Sequence, residues 1–323
     1  MSTAQPLLQL RVAAKRPAAQ QIVELTLEAL PGQVLPAFDA GSHLDLHLPG
    51  GLIRPYSISS DPAERGHYVL GVLHEAASRG GSIAVHQQLQ VGHILSTSPP
   101  KNNFQLRATP APKLLLAGGI GITPVLSMAR QLAREGRPFV LHYAGRSRSH
   151  MAFLDALQQG RLAAHTQLHI SDEAGTMDIA AVLDAQPVDA ELYVCGPAGF
   201  MDAVFDSARG RGWQAARLHR ELFAAAPMPA ADGADRPFEI QLASSGRLIA
   251  VPAGYSAAKA MQDAGVPLYT SCEQGVCGTC LTTVLNGEPE HRDQYLTPEE
   301  QAANTQFLPC CSRARSARLV VDF

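Results

Sequence analysis

The chain has 323 residues, of which 46% are hydrophobic and 17% are charged. This composition is typical of a globular protein, and at ~100–200 residues per domain the length predicts two or three domains. The net charge of −3 offers no concentrated basic surface, so we expect no nucleic-acid partner. The most apolar stretch, residues 113–130, is shorter than the ~20 residues that span a bilayer, so we expect no membrane segment.

Residues 1–105 alternate short apolar strands with Gly and Pro turns, which predicts an antiparallel barrel. The predicted strands cover residues 7–12, 22–27, 43–48, 54–59, 68–73 and 93–98, and one helix is predicted at 82–89. His43, Asp45 and His47 alternate with leucines on one strand. We interpret these three residues as a solvated strand face and assign no metal there.

Two short motifs in the predicted barrel suit a flavin. Arg54, Tyr56 and Ser57 lie in a predicted strand directly after a Pro-Gly-Gly turn. The second motif opens the predicted helix and consists of Arg79, Gly80, Gly81 and Ser82. Amides at a helix N-terminus, together with arginine and serine side chains, suit a phosphate. The alternatives are a simple turn for the glycines and a helix N-cap for the serine.

Residues 106–223 alternate apolar strands with longer helical runs, which predicts a parallel sheet covered on both faces. The predicted strands cover residues 114–117, 139–144, 168–171 and 192–195. The predicted helices cover residues 124–134, 151–158 and 199–209. This pattern favours a nucleotide-binding domain with its ligand at the carboxyl ends of the strands.

A glycine-rich sequence runs from the first of these strands into the following helix, where backbone amides can approach a pyrophosphate. Its candidate residues are Gly118, Gly119, Gly121 and Thr123. The sequence lacks the G-x-G-x-x-G register, so an ordinary Rossmann site is not predicted. Cys195, Gly196 and Pro197 end a later strand at the same predicted edge. A buried inert thiol is the alternative interpretation of Cys195.

Arg146, Ser147 and Arg148 follow the second strand of this domain, where the adenosine end of a dinucleotide would lie. The arginines could contact a 2′-phosphate or the pyrophosphate, so NADPH is not excluded. Asp172, after the next strand, is a weaker candidate for a ribose contact. Solvated surface is the alternative for Arg148 and Asp172.

Residues 224–236 consist mainly of Ala, Pro, Asp and Gly without a hydrophobic period, which predicts a linker. Residues 237–323 form a third predicted domain, with strands at 238–242 and 248–251 and a helix at 257–263. This segment holds 9 Asp/Glu and 6 Lys/Arg, a formal charge of −3. Acidic residues concentrated after the cysteine loop suit a basic docking face. A merely solvated loop is the alternative.

Three cysteines near the C-terminus, Cys272, Cys277 and Cys280, are spaced C-x4-C-x2-C, and Cys310 follows after 29 residues. This is the spacing of plant-type [2Fe–2S] ligands, whereas structural zinc usually takes two short-spaced pairs. Cys311 is ambiguous with Cys310 because the two are adjacent. Thiols arranged for metal, together with an N-terminus that lacks an apolar leader, predict a cytoplasmic protein.

Taken together, these motifs resemble the phthalate dioxygenase reductase family. The motifs occur in the same order over essentially the whole chain: RPYS, SRGGS, GGIGITP, HYAGRSRS, CGP, CEQGVCGTC and CCSRA. The resemblance implies an antiparallel flavin-binding β-barrel, an α/β parallel-sheet nucleotide-binding domain and a C-terminal α+β plant-type ferredoxin of the β-grasp type. It implies the cofactors FMN, a [2Fe–2S] cluster and NADH.

The resemblance also implies roles for individual residues. The flavin ring and ribityl chain would contact Arg54, Tyr56 and Ser57. The FMN phosphate would contact Arg79, Gly80, Gly81 and Ser82. The nicotinamide site would hold Thr123, Cys195 and Gly196, with Arg146 and Ser147 toward the adenosine. The E-x-F sequence of the family appears as Glu221-Leu222-Phe223, so Phe223 would cover the flavin, with a core aromatic as the alternative.

The function implied by the resemblance is that of a reductase component, which supplies electrons from NADH to a Rieske-type terminal oxygenase. The redox chemistry belongs to the cofactors, so no side-chain acid or base is expected. A self-contained reductase of a small molecule and a non-catalytic redox sensor are the alternatives. We expect a monomer, and the sequence does not identify the oxygenase or its substrate.

Overall fold

The computed structural model describes residues 6–76, 78–225 and 235–323. The chain forms two compact units, one ending at Leu222 and one beginning at Phe223. The predicted linker at 224–236 lies mostly outside the described residues, and the domain boundaries stay predictions. No described helix combines the length and the apolar character that crossing a membrane requires.

The first unit begins with a seven-stranded antiparallel sheet. Its strands are β1 Leu8–Ala19, β2 Ile22–Ala29, β3 Ser42–Leu48, β4 Leu52–Ser57, β5 His67–Leu73, β6 Ile94–Thr97 and β7 Lys101–Asn102, with helix α1 at Gly81–Gln87. The strand order is β4-β3-β6-β1-β2-β5, with β7 beside β3. A bridge between Ile58 and Leu70 joins the two ends of this order, and buried leucines fill the interior.

The prediction of a solvated face on β3 is wrong for two of its three residues. His43 and Asp45 are only 4% and 3% exposed, and His47 is partly buried. Lys101 lies on β7 beside β3, and its Nζ donates to Asp45 Oδ2 at 2.6 Å. Burial lowers the pKa of His43. Alternation shows which side chains share a face, but it does not show whether another strand covers that face.

The second sheet of this unit has five parallel strands in the order β10-β9-β8-β11-β12. The strands are β8 Lys113–Gly118, β9 Phe139–Gly145, β10 Thr166–Ile170, β11 Glu191–Cys195 and β12 Leu218–Glu221. The helices are α2 Ile122–Glu135, α3 Leu154–Gln158, α4 Ser171–Ala174, α5 Ile179–Asp184 and α6 Ala198–Gly210. Leu115 and Leu114 belong to separate apolar clusters, so helices cover both sheet faces.

Helix α3 is shorter than the predicted helix at 151–158. Phe153 precedes the helix with a φ of 63°, in the left-handed region that interrupts a helix. Ala152 N donates to Tyr143 Oη at 3.1 Å, and Met151 fills the space beside Gly145. The apolar residues of this segment are therefore buried in a loop. Their apolar pattern predicts a helix because buried loop residues and buried helix residues are of the same types.

Helix α2 joins the barrel to the parallel sheet. Ser127 Oγ donates to the Ser60 carbonyl at 2.9 Å. At the start of α2, Thr123 packs on Gly71 of β5, where an added Cβ would lie 2.8 Å from Thr123 Cγ2. The barrel and the parallel sheet therefore form one packed unit.

The second unit is a mixed sheet in the order β14-β13-β19-β15-β17, with a separate β16–β18 pair. Its strands are β13 Phe238–Leu242, β14 Leu248–Val251, β15 Thr282–Asn286, β16 Pro289–Glu290, β17 Gln306–Phe307, β18 Arg313–Ala314 and β19 Arg318–Val321. Strands β13 and β19 are parallel, and the other pairs are antiparallel. Its helices are α7 Ala257–Asp263 and α8 Pro298–Ala303. Ala257 and Met261 of α7 are buried in the same cluster as Ile240, as in a β-grasp fold.

Lys15 of β1 anchors the C-terminal end of α1. Its Nζ donates to the carbonyls of Val85, His86 and Leu89 at 2.8, 2.7 and 2.9 Å. The last carbonyls of a helix lack intrahelical partners, and a positive charge there is favourable. Lys15 therefore holds the helix whose other end carries the candidate phosphate residues.

We expect Lys15→Met to lower the free energy of unfolding by about 1–3 kcal/mol, because three carbonyls lose a charged donor. Arg11→Met is the matched control, since Arg11 lies on the same strand in an exposed pair with Glu28, and such pairs contribute at most ~1 kcal/mol. Urea unfolding measures both losses. Equal losses in the two variants contradict an anchoring role for Lys15.

Candidate functional site

Two glycine-containing loops meet at the carboxyl edge of the parallel sheet. One follows β8 and the other follows the neighbouring strand β11. An added Cβ at Gly121 would lie 2.6 Å from Gly196 N, and one at Gly196 would lie 3.0 Å from Gly118 Cα. Such spacing excludes any larger residue, so the loops touch backbone to backbone.

The same edge holds the starts of α2 and α6. Gly119 has a φ of 54° with no atom within 4 Å of its Cβ position, so conformation rather than space favours glycine there. Thr123 Oγ1 donates to the Ile120 carbonyl at 3.1 Å in the first turn of α2. Pro197 precedes α6. The structure thus brings the two predicted loops together.

A cluster of three polar side chains lies where the barrel meets this edge. Glu221 ends β12 opposite Cys195 of β11, and Ser57 Oγ of β4 donates to Glu221 Oε2 at 3.1 Å. Burial raises the pKa of Glu221 to about 8, so its carboxyl keeps a proton at neutral pH. Burial, and then the Glu221 carboxyl, raise the pKa of the Cys195 thiol. The cluster therefore carries no charge at neutral pH.

The two predicted flavin motifs lie side by side in the barrel. Arg54 is buried, and its guanidinium donates to the carbonyls of Ile53 and Arg79 at 2.7 and 3.2 Å. An added Cβ at Gly81 would lie 2.5 Å from Arg54 Cγ, so the glycine makes room for the arginine stem. Burial raises the pKa of Tyr56 to about 12.

The loop before α1 retains an exposed arginine and glycine backbone. Gly80 precedes α1 with a φ of 91°, and Arg79 is exposed. Ser82 is buried, and its Oγ accepts a hydrogen bond from Glu75 N at 3.1 Å. Ser82 is therefore not the N-cap, and the first amides of α1 lack intrahelical partners. A phosphate monoester fits this combination of helix-start amides and an arginine.

The segment after β9 lies one strand further along the same edge. Ser147 Oγ is hydrogen-bonded to His150 Nδ1 at 2.7 Å, and Arg146 is exposed. The Arg148 guanidinium is paired with Glu173. Phe223 begins the second unit and is 39% exposed, and its role stays a prediction.

The cysteine loop lies between α7 and β15 of the second unit. The thiol of Cys310 lies beside those of Cys272, Cys280 and Cys311, and the Cys272 thiol lies beside that of Cys277. All six cysteines of the chain are described, and none of them forms a disulfide bond. Within the described residues, no three His, Cys, Asp or Glu side chains converge as ligands of a single metal ion. Four soft thiols in pairwise contact suit a cluster of two irons rather than one ion.

The glycines of this loop are required by both conformation and space. Gly275 and Gly278 have a φ of 71° each. An added Cβ at Gly278 would lie 2.5 Å from the Tyr295 ring, and one at Gly275 would meet the Cys311 thiol. Since Cys311 packs behind Gly275 while Cys310 contacts two loop thiols, the geometry favours Cys310 as the fourth ligand.

Comparison with known proteins follows the same division of the chain. Residues 240–315 match the 2Fe-2S iron-sulfur cluster binding domain, and residues 93–218 match the N-terminal domain of dimethylamine monooxygenase subunit DmmA-like proteins. Vanillate O-demethylase oxidoreductase from Pseudomonas sp. (strain HR199 / DSM 7063) is 46% identical over 318 residues, which cover 98% of this chain and 100% of that protein. The structure of phthalate dioxygenase reductase is 36% identical with a TM-score of 0.77 over 98% of both chains. The chain belongs to the phthalate dioxygenase reductase family.

Family membership confirms the predicted three-part fold class and the cofactors FMN, a [2Fe–2S] cluster and NADH. The chain is an NADH-dependent flavin and iron–sulfur oxidoreductase. A type IV self-sufficient cytochrome P450 monooxygenase contains a similar region, 34% identical with a TM-score of 0.85, which covers 100% of this chain and 42% of that one. In that protein the reductase-like region is part of a longer chain.

The sequence motifs do not identify Glu221 as a site residue beyond its place in the E-x-F sequence. The residue matters because its carboxyl bonds to Ser57 and lies opposite Cys195. The sequence signal that could have identified Glu221 is a carboxylate at the carboxyl end of the last parallel strand, where ligands bind.

We expect the pH dependence of stability to change in Glu221→Gln. The unfolded chain loses this proton near pH ~4.3, whereas the folded chain keeps it to about 8. The folded state binds more protons in this window, so the stability contributed by Glu221 falls as pH rises from ~5 to ~8. Urea unfolding of the purified protein across this range should show a flatter slope in the variant.

The matched control for this measurement is Glu28→Gln, which removes a partly exposed carboxylate paired with Arg11. Its slope should follow that of the wild type. An unchanged slope in Glu221→Gln contradicts the protonated state assigned to Glu221.

We expect Gly278→Ala to lower the iron content per chain while leaving the flavin content unchanged. The added methyl group meets the Tyr295 ring and forces a left-handed conformation, at a combined cost of about 2–4 kcal/mol. Gly265→Ala is the matched control, since Gly265 has a φ of 79° but no atom within 4 Å of the Cβ position. Equal iron contents in both variants contradict a spatial requirement at Gly278.

Proposed function

We propose that this chain is the reductase component of a multicomponent oxygenase, and that it oxidises NADH and delivers single electrons to a separate oxygenase. One observation carries the proposal: the same chain holds the uncharged Ser57, Cys195 and Glu221 cluster and a set of four adjoining thiols. When bound, FMN accepts a hydride and releases single electrons, so it links the two-electron donor NADH to the one-electron [2Fe–2S] cluster.

The nicotinamide ring binds beside Thr123, Cys195 and Gly196 in this proposal. The backbone contact between the two glycine loops leaves little side-chain bulk at the edge, so a flat ring can approach closely. Protonation of Glu221 matters here, because an ionised carboxylate would oppose the negative charge that a bound flavin would gain on accepting a hydride. Glu221 therefore acts by remaining neutral.

The barrel holds FMN through its two motifs. Arg79 and the backbone of Gly80, Gly81 and Ser82 bind the phosphate, since an exposed arginine adjoins the first amides of α1, which have no intrahelical partners. Arg54, Tyr56 and Ser57 lie on β4 and line the ring and ribityl chain. Gly118, Gly119, Gly121 and Pro197 lie along the pyrophosphate, with Arg146 and Ser147 toward the adenosine.

Four of the acidic residues after the cysteine loop are buried, paired or part of a helix cap. Asp293 is buried, and Glu300 caps α8. Glu288 and Glu290 are paired with Arg315 and Arg292. Because the unit neutralises much of this charge itself, we leave acid-steered docking out of the proposal.

The family resemblance favours a Rieske-type oxygenase as the partner. The similar region in a self-sufficient cytochrome P450 monooxygenase makes a haem-containing oxygenase of the P450 type the second candidate. Electron transfer from the NADH-reduced protein to a purified Rieske-type oxygenase and to a P450 haem domain distinguishes the two. We further propose that the protein is a cytoplasmic monomer.

Rapid mixing with NADH tests the proposed function directly. The flavin absorbance should bleach within the ~second scale of ordinary turnover, followed by reduction of the cluster. Absence of bleaching contradicts the reductase function. Bleaching that takes minutes favours a redox sensor instead.

We expect Cys310→Ser to lower NADH-dependent reduction of cytochrome c by more than ~10-fold, about 1.4 kcal/mol in the barrier. Reduction of ferricyanide, which the flavin alone supports, should stay within ~2-fold of the wild type. Cys311→Ser is the matched control and should retain both activities. Loss of cytochrome c reduction in Cys311→Ser instead would reassign the fourth ligand, and survival in both variants would remove the cluster from the route.

A further inference from the structure

Arg148 and Glu173 form a two-point ion pair at the carboxyl edge of the parallel sheet. Arg148 Nε donates to Glu173 Oε1 at 2.8 Å, and Arg148 Nη2 donates to Oε2 at 3.0 Å. Arg148 follows β9, and Glu173 lies in α4 directly after the neighbouring strand β10. The side chains are 51% and 50% exposed, so the pair faces solvent.

The two segments that carry this pair are tied together by further hydrogen bonds. Asp172 N donates to the Arg146 carbonyl at 3.0 Å, and Ser171 Oγ donates to the Gly145 carbonyl at 3.3 Å. The position of Glu173 relative to the loop after β9 is therefore set by these backbone contacts as well as by its ion pair with Arg148.

This place in a doubly wound sheet has a defined relation to a bound dinucleotide. The glycine loop follows β8, and the end of the next strand outward is where the adenosine ribose lies. An acidic residue there accepts a hydrogen bond from the 2′-hydroxyl of NADH, whereas an arginine accommodates the 2′-phosphate of NADPH. Here the arginine follows β9, the acidic residue follows the adjacent strand β10, and Glu173 occupies two donors of the Arg148 guanidinium.

We propose that Glu173 selects NADH over NADPH by occupying the Arg148 guanidinium and presenting a carboxylate to the adenosine ribose. This inference rests on the proposed function, in which this edge of the sheet holds a nicotinamide dinucleotide. A 2′-phosphate must displace a bidentate pair and then lie beside a carboxylate of like charge. The neutral ribose diol of NADH neither displaces the ion pair nor repels the carboxylate, and it can donate a hydrogen bond to the carboxylate.

Glu173→Gln tests the proposal because it keeps the size of the side chain and removes its charge. We expect kcat/KM for NADPH to rise by at least ~10-fold and kcat/KM for NADH to fall, because an amide is a weaker acceptor for the ribose hydroxyl than a carboxylate. Ferricyanide is the electron acceptor in this assay, so the cluster is not required. Calorimetric binding of 2′,5′-ADP should tighten in parallel, which gives a readout independent of turnover.

Asp184→Asn is the matched control on the same sheet. Arg211 Nε donates to Asp184 Oδ1 at 2.7 Å, but this pair lies at the C-terminal ends of α5 and α6, toward the amino edge. The NADPH to NADH ratio should not change in this variant. The double variant Glu173→Gln with Arg148→Gln should lose the gain, since Arg148 is then absent as a phosphate ligand.

An unchanged ratio in Glu173→Gln overturns the inference, as does an equal gain in Asp184→Asn or a gain that persists in the double variant. These outcomes are separate from failure of the proposed function. A wild type that does not oxidise NADH overturns the proposed function, whereas a wild type that oxidises NADH with an unresponsive Glu173→Gln overturns only the selection by Glu173.

Discussion

The packing of helix α2 against the barrel fixes the geometry on which the candidate site depends. The helix begins at the glycine loop after β8, and its Ser127 holds the carbonyl of Ser60, three residues beyond Ser57. One rigid element therefore positions both the loop that approaches a dinucleotide and the end of the strand that carries Ser57. The hydrogen bond from Ser57 to Glu221 follows from this arrangement, because β4 and β12 belong to different sheets.

The parts of the fold that depend on local patterns could be predicted from the sequence. The glycine run at 118–121 predicted the passage from β8 into α2, and the cysteine spacing predicted an irregular loop with one distant thiol. The burial of Asp45 could not be predicted, because its partner Lys101 lies 56 residues away on a strand of only two residues. Residues 151–153 do not form the helix that their apolar pattern predicts. The reason is related, because a loop and a helix can bury the same apolar side chains.

The candidate site shows the same division between local and distant determinants. Ser57 and Cys195 stand in recognisable motifs, but Glu221 acquires its raised pKa from burial beside a serine 164 residues earlier in the chain. Two arginines in a short segment suggested a phosphate site after β9. The structure adds Glu173, 25 residues later, whose carboxylate already holds one of those guanidinium groups.

Two glutamates at one sheet edge have different charge states, neutral and negative, and their surroundings explain the difference. Glu221 is partly buried between the barrel and the sheet with the Ser57 hydroxyl as a hydrogen-bond partner, so burial favours the protonated form. Glu173 is half exposed and faces a guanidinium, so it is the negative partner of an ion pair. In the proposed function a neutral Glu221 does not oppose the negative charge that the flavin would gain, and in the proposed selection of NADH a charged Glu173 opposes a 2′-phosphate. The fold thus assigns each carboxyl its task through burial and partner rather than through residue type.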